Sequence, residues 1–194
     1  MKKLLVTCIA ILTASCGNLT TQGTGSSYLI VDSLEASSGA ASGEFGGDLE
    51  SDVLTVVNGS GTVFQDVGRI TLSLGLKDPG PNGAANSPSP NNFITVNQYR
   101  VRYIRADGRN TPGVDVPYGF DGAFTLTISD RSTATFALVR AQAKAEAPLA
   151  ALANSPVVLS TIAEITFYGH DQTGREVSTV ARINVHFANW ADPE

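Results

Sequence analysis

Cysteine is nearly absent. The chain of 194 residues holds two, Cys8 and Cys16, both close to the N-terminus. Everything beyond them is without a thiol, which excludes a disulfide framework and a cysteine-based metal site there. Only two histidines are present, His170 and His186, which leaves a zinc site without enough ligands of its usual kind. No apolar run reaches the roughly 20 residues that a transmembrane helix needs. Basic residues are few, 13 against 18 acidic ones, and scattered. That excludes electrostatic binding of nucleic acid and a polybasic contact with anionic lipid. A fold without these aids must be held by its apolar core.

At the N-terminus, Lys2 and Lys3 precede an apolar stretch, residues 4–12, broken only by Thr7. The small residues Thr13, Ala14 and Ser15 lead to Cys16. Charge, apolar run and small residues in that order are the layout of a secretory signal. The segment Leu12-Thr13-Ala14-Ser15-Cys16-Gly17 resembles a bacterial lipoprotein signal with its lipobox. The resemblance implies that Cys16 is acylated and becomes the mature N-terminus. It implies a membrane held by a lipid anchor, in the cell envelope, and the outer membrane if the organism is Gram-negative, since Gly17 and not Asp follows the cysteine. The family usually has Leu three residues before the cysteine, where this chain has Thr13. An ordinary cleaved signal with Cys16 incidental is the alternative. Two or more acyl chains give stable anchoring at about 0.8 kcal/mol per buried CH₂.

The organisation expected is therefore a signal peptide over residues 1–15, a lipidated cysteine and Gly/Ser/Thr-rich tether over 16–26, and one domain over 27–194. Loss of residues 1–15 takes Lys2 and Lys3 with it and moves the net charge from −5 to −7.

The domain has a period of two almost throughout. Ile70, Leu72, Leu74 and Leu76 alternate with polar or small residues. So do Tyr99, Val101 and Tyr103, then Phe124, Leu126 and Ile128, then Ala181, Ile183, Val185 and Phe187. Alternation of this kind marks strands with one buried and one solvated face. Further strands are predicted over residues 28–34, 133–144 and 162–169, with a short extra one at 53–57. The strand over 133–144 is predicted in spite of the helix propensity of its Ala-rich end, with a single helical turn after it that has Pro148 at its first position. Seven strands, or slightly more, separated by turn signals predict an all-β, antiparallel β-sandwich. The stretch from Ile165 to Val177, with Asp171 and Gly174, resembles the last hairpin of bacterial immunoglobulin-like and fibronectin type III-like domains. That resemblance implies an Ig-like fold and no particular function.

With strands named A to G in that plan, long A–B (36–66), B–C (79–92) and C–D (106–122) loops result. The A–B and C–D loops lie at the end away from the tether. The C–D loop carries Arg109, Asp115, Tyr118 and Phe120, and these are the candidate partner-binding residues, because long loops with aromatic anchors tend to be functional. Asp107, Asp115 and Asp121 share that loop and are weak candidates for Ca²⁺, which takes six to eight oxygens. Asp in turns more often bonds the backbone. Arg100, Arg102 and Arg105 lie on one strand and read as a solvated face with cross-strand partners.

No catalytic, cofactor or paired-acid constellation rises above background. His170 and Asp171 are adjacent, with Ser160 and Ser178 not far in sequence, but nothing resembles a nucleophile elbow. Gly59-Ser60-Gly61 lacks the ending of a phosphate loop. The expectation is a non-enzymatic envelope protein without cofactor that binds another envelope protein or a glycan. Trp190, Tyr118 and Tyr168 are the aromatics a sugar would stack on. A hydrolase with an unrecognised site is the remaining alternative.

Overall fold

A computed structural model describes residues 25–78, 80–81 and 86–190. Cys16, the signal expected over 1–15, most of the tether expected over 16–26 and part of the expected B–C loop lie outside the described residues. Among the described residues ten strands are present: β1 (Ser27–Ser37), β2 (Asp48–Asp52), β3 (Thr55–Val57), β4 (Ser60–Thr62), β5 (Asp66–Leu76), β6 (Ile94–Ile104), β7 (Phe120–Ile128), β8 (Arg131–Val139), β9 (Leu159–Asp171) and β10 (Glu176–Ala188). One helical turn, α1 (Ala141–Lys144), follows β8.

The chain is all-β, and its arrangement fits a β-sandwich. One sheet has the order β1-β5-β8 and is antiparallel. The other has the order β2-β10-β9-β6-β7, antiparallel except for β2, which runs parallel to β10. The small hairpin β3-β4 stands apart. All seven strands predicted from the alternating pattern are present, most of them longer at the ends than the pattern alone marks.

Aromatic rings join the two sheets. Phe136 of β8 meets Tyr99 of β6 at 5.1 Å and Phe167 of β9 at 5.4 Å, edge to face in both cases. Tyr103 of β6 donates its hydroxyl to the Leu138 carbonyl of β8 at 2.7 Å. Around these sit Ile70, Leu72, Leu138, Ile165, Val185 and Phe187, all fully buried. Each such side chain contributes roughly 1.5–3 kcal/mol by leaving water. Desolvation pushes the Tyr103 phenol far above its ordinary range, so it stays a donor.

Three glycines in strands lie directly opposite aromatic residues: Gly75 faces Tyr28, Gly68 faces Phe136 and Gly122 faces Tyr99. Each ring covers its glycine. A Cβ at Gly122 would come 2.2 Å from Tyr99 Cζ, and one at Gly68 would come 2.5 Å from Phe136 Cζ. The missing side chain makes room for a core ring, and the pairs fix the register.

The structure corrects the sequence reading in two places. The strand predicted over 133–144 ends at Val139, Ala141–Lys144 form a helical turn within the predicted strand, and a 3₁₀ turn, Leu149–Asn154, follows with Pro148 at its N-cap, one residue before the first position expected for it. Helix propensity wins there because Lys144 must turn inward to meet a buried acid. Residues 36–66, expected as a long loop with one short strand at 53–57, contain three short strands: β3 falls on the expected one, while β2, added to the edge of the larger sheet, and β4 lie outside it.

The two ends of the molecule are distinct. At one end, Ser26 and Ser27 at the start of β1 bond Lys77 and Asn92. Gly25 lies against Asp171 of the β9–β10 hairpin. The end of β1, the start of β5, the loop after β6 and the end of β10 gather at the other end.

Candidate functional site

The distal end is organised around a buried ion pair. Asp66, at the start of β5, and Lys144 of α1 are both fully buried, with Nζ 2.8 Å from Oδ1. Asp66 Oδ1 also accepts from the Gly39 amide at 2.9 Å, and Oδ2 accepts from the Ser51 hydroxyl at 2.6 Å. One carboxylate thus ties together the turn after β1, strand β2, strand β5 and α1. Burial pushes Asp66 above the usual carboxylate range, opposed by the Lys144 charge and the three hydrogen bonds. A pair so withdrawn from water is a joint in the scaffold, and it holds the loops that surround it.

The C–D loop is ordered by its own hydrogen bonds. Thr111 O accepts from the amide of Asp115 at 2.9 Å, Thr111 N donates to Asp115 Oδ2 at 3.2 Å, and Gly113 N donates to Val116 O at 2.8 Å. Asp107 accepts from Arg105 at 2.5 Å and from Arg109 at 3.1 Å. The hydrogen bonds from these arginines hold its carboxyl below the ordinary range. Gly113 has φ +77°, and a Cβ there would meet the Tyr118 hydroxyl at 2.4 Å. The Tyr118 ring therefore lies across Gly113 while remaining 52% exposed.

The structure separates the candidate residues. Phe120 is half-buried, edge-on to Tyr99 at 6.2 Å and beneath the Arg140 guanidinium at 4.6 Å. It anchors the loop from inside. Tyr118 and Arg109 point outward. Asp115 is spent on its own turn, and Asp121 takes Arg100 of β6 in a two-bond pair at 2.6 and 3.1 Å. With Asp107 also paired, the three carboxylates named for Ca²⁺ go to three separate partners. Among the described residues, no three acidic or histidine side chains gather as a metal would need.

Residues that sequence reasoning missed complete this surface. Val114 at the loop tip is 68% exposed, and Val157 and Val158, before β9, are 58% and 45% exposed. These three valines, with Arg105, Arg109 and Asp115, share the walls of one cavity of about 540 Å³. The only available signal was Pro156-Val157-Val158, two β-branched residues after a proline and outside any alternation.

The other candidates are placed apart. Asp171 caps its own hairpin, accepting from Thr173 N, Thr173 Oγ1 and Arg175 N at 2.6 to 3.0 Å. His186 Nδ1 lies 2.9 Å from Ser160 Oγ, both on the outer face of the larger sheet. Trp190 bonds Asp52 through its backbone amide at 3.1 Å, and its indole N–H is buried. Gly59 and Gly61 belong to the β3–β4 hairpin. No family model, no curated protein and no solved structure matches the chain.

Proposed function

We propose that this protein is a non-enzymatic cell-envelope lipoprotein with an Ig-like sandwich, and that it captures another envelope protein through its distal loops. Support for this fold comes from the order β1-β5-β8 against β10-β9-β6-β7, which can be read as an A-B-E and G-F-C plan with the fourth strand beside the third and a split first strand whose second part, β2, lies along β10. The observation that carries the binding role is the group Val114, Val157, Val158 and Tyr118. Four apolar or aromatic side chains are exposed on two braced loops at the end opposite Gly25. Exposed apolar patches rimmed by charge are the usual form of a protein-binding surface, and Arg105, Arg109 and Asp107 supply that rim. Lipid on Cys16 would turn this end away from the membrane.

The test places a photo-crosslinking residue at Val114 in cells, with Thr125 on the side of the sandwich as control. An adduct at Val114 that disappears in Val157→Asp, with thermal stability retained, is the expected result. Equal adducts at both positions, or none, would defeat the binding role. Palmitate-analogue labelling of the wild type, with Cys16→Ser as control, tests the anchor separately.

A further inference from the structure

The outer face of the larger sheet carries a second surface, separate from the valine-lined cavity of the distal loops. Its pairing sets outward side chains in rows across four strands. Ala123 of β7, Gln98 of β6, Tyr168 of β9 and Ser178 of β10 are successive cross-strand partners. Strands lie about 4.8 Å apart, so the step from Gln98 to Ser178 spans roughly 10 Å with the Tyr168 ring between.

A bulge interrupts this row. Between Val96 and Gln98, β6 shifts register against both of its neighbours. Bulges re-aim side chains and interrupt the regular pleat. Here Asn97 and Gln98 are both exposed, two planar amides side by side. A hollow opens on each side of them. One, of about 620 Å³, is lined by Tyr168, His170, Glu176 and Ser178 as well as the two amides. The other, of about 520 Å³, runs toward Asp121 and Ala123. The shared wall makes them one trough across the sheet.

The charges in the next rows are paired within the face. Arg100 takes Asp121, and Arg182 takes Glu164 at 2.6 Å. What the trough offers is an aromatic ring, two amides that each donate and accept, and hydroxyls, with Glu176 and His170 at one end. A peptide would add to a free strand edge or fill an apolar pocket; the trough lies on the face of the sheet between exposed amides and reaches the edge strand β7 only at its Ala123 end. A polyanion would look for unpaired cations. A pyranose chain has apolar C–H faces for the ring and a rim of neutral hydroxyls for the amides.

We propose that this trough is a binding site for a neutral oligosaccharide, with one sugar ring on Tyr168 and its neighbours held by Asn97 and Gln98. The site is independent of the distal surface, so either stands if the other fails. The test is calorimetry on the full chain in detergent micelles with hexa-N-acetylchitohexaose, cellohexaose and maltohexaose. At least one of the three binds. Tyr168→Ala weakens that binding about tenfold or more, and Gln98→Ala, on an exposed side chain, weakens it without touching the core. Ile30→Ser, on the outer face of the other sheet, leaves it unchanged. No heat with any of the three at about millimolar sugar overturns the proposal. So does binding that survives both Tyr168→Ala and Gln98→Ala.

Discussion

Lys144→Met cuts the joint of the distal end and leaves the core volume nearly intact, because methionine follows the same unbranched path. Asp66 then keeps two of its three donors, Gly39 N and Ser51 Oγ, and loses its only countercharge. Breaking a buried pair by removing one partner costs about 3–5 kcal/mol, a large share of the roughly 5–15 kcal/mol that holds a domain of this kind. With a urea slope of about 2 kcal/mol/M, a loss of about 4 kcal/mol moves the midpoint by about 2 M. Trp190, the sole tryptophan, sits at the same end and reports the transition. The cost depends on pH with a definite sign. The folded Asp66 binds its proton more tightly than the unfolded residue does, so this carboxyl lowers stability as pH rises from the ordinary carboxylate range through its folded value. Without Lys144 that folded value rises further, and protonation relieves part of the loss. The deficit is therefore smaller at pH 5 than at pH 8. Adding Asp66→Asn to Lys144→Met removes the stranded charge. The new carbonyl keeps Gly39 N and the new amide donates to Ser51 Oγ, which brings the pair of changes to within about 1–2 kcal/mol of wild type. A loss under about 1 kcal/mol at pH 8, or a deficit that grows at pH 5, would refute the assignment of Asp66 and Lys144 as the joint.

Tyr103→Phe removes the hydroxyl that crosses between the sheets and strands the Leu138 carbonyl, at a cost of about 1–3 kcal/mol in urea unfolding. Gly122→Ala drives a methyl into the Tyr99 ring, and a drop of about 1–3 kcal/mol is expected from the forced repacking, whereas an unchanged melting point would show that the ring yields freely. Asp171 is held below the ordinary carboxylate range: burial raises it, but the hydrogen bonds from Thr173 and Arg175 outweigh that. Its stabilisation is present above about pH 4 and is lost as pH falls through the lower folded value. Asp171→Ala should cost about 1–2 kcal/mol at pH 7 and less at pH 3, while Asp171→Asn, which can cap the same turn, should lose less at pH 7.

The strands were legible because their burial is one-sided. Ile70 and Leu72, or Ile183 and Val185, alternate with polar neighbours as the pleat demands. What escaped reading had no such alternation. Asp48–Asp52 is a polar pentapeptide that becomes a strand only because β10 offers an edge to pair with. Asn58-Gly59, with φ of +52° and +75°, is the strongest short hairpin signal a sequence can carry, and it turns β3, on the short strand expected at 53–57, back onto β4. Lysine is rarely buried, and nothing local to Lys144 announces an acid 78 positions away. The candidate surface was half legible: the C–D loop and Tyr118 stood out by length and aromaticity, while the adjoining valines depend on how residues 156–159 pass that loop.

The pairing of β1 has a mechanical consequence. β1 leaves Gly25 and runs toward the distal loops, bonded to β5 along Ser27–Ser37. A pull between the N-terminal end and the distal loops acts along this strand, across its ladder of hydrogen bonds. All of those bonds then bear the load together in shear, where a hairpin pulled from its open end would lose them one at a time. The parallel partners β2 and β10 carry a load along their own direction in the same way. A chain drawn out between two fixed points in this direction resists as a unit until the whole β1–β5 ladder slips.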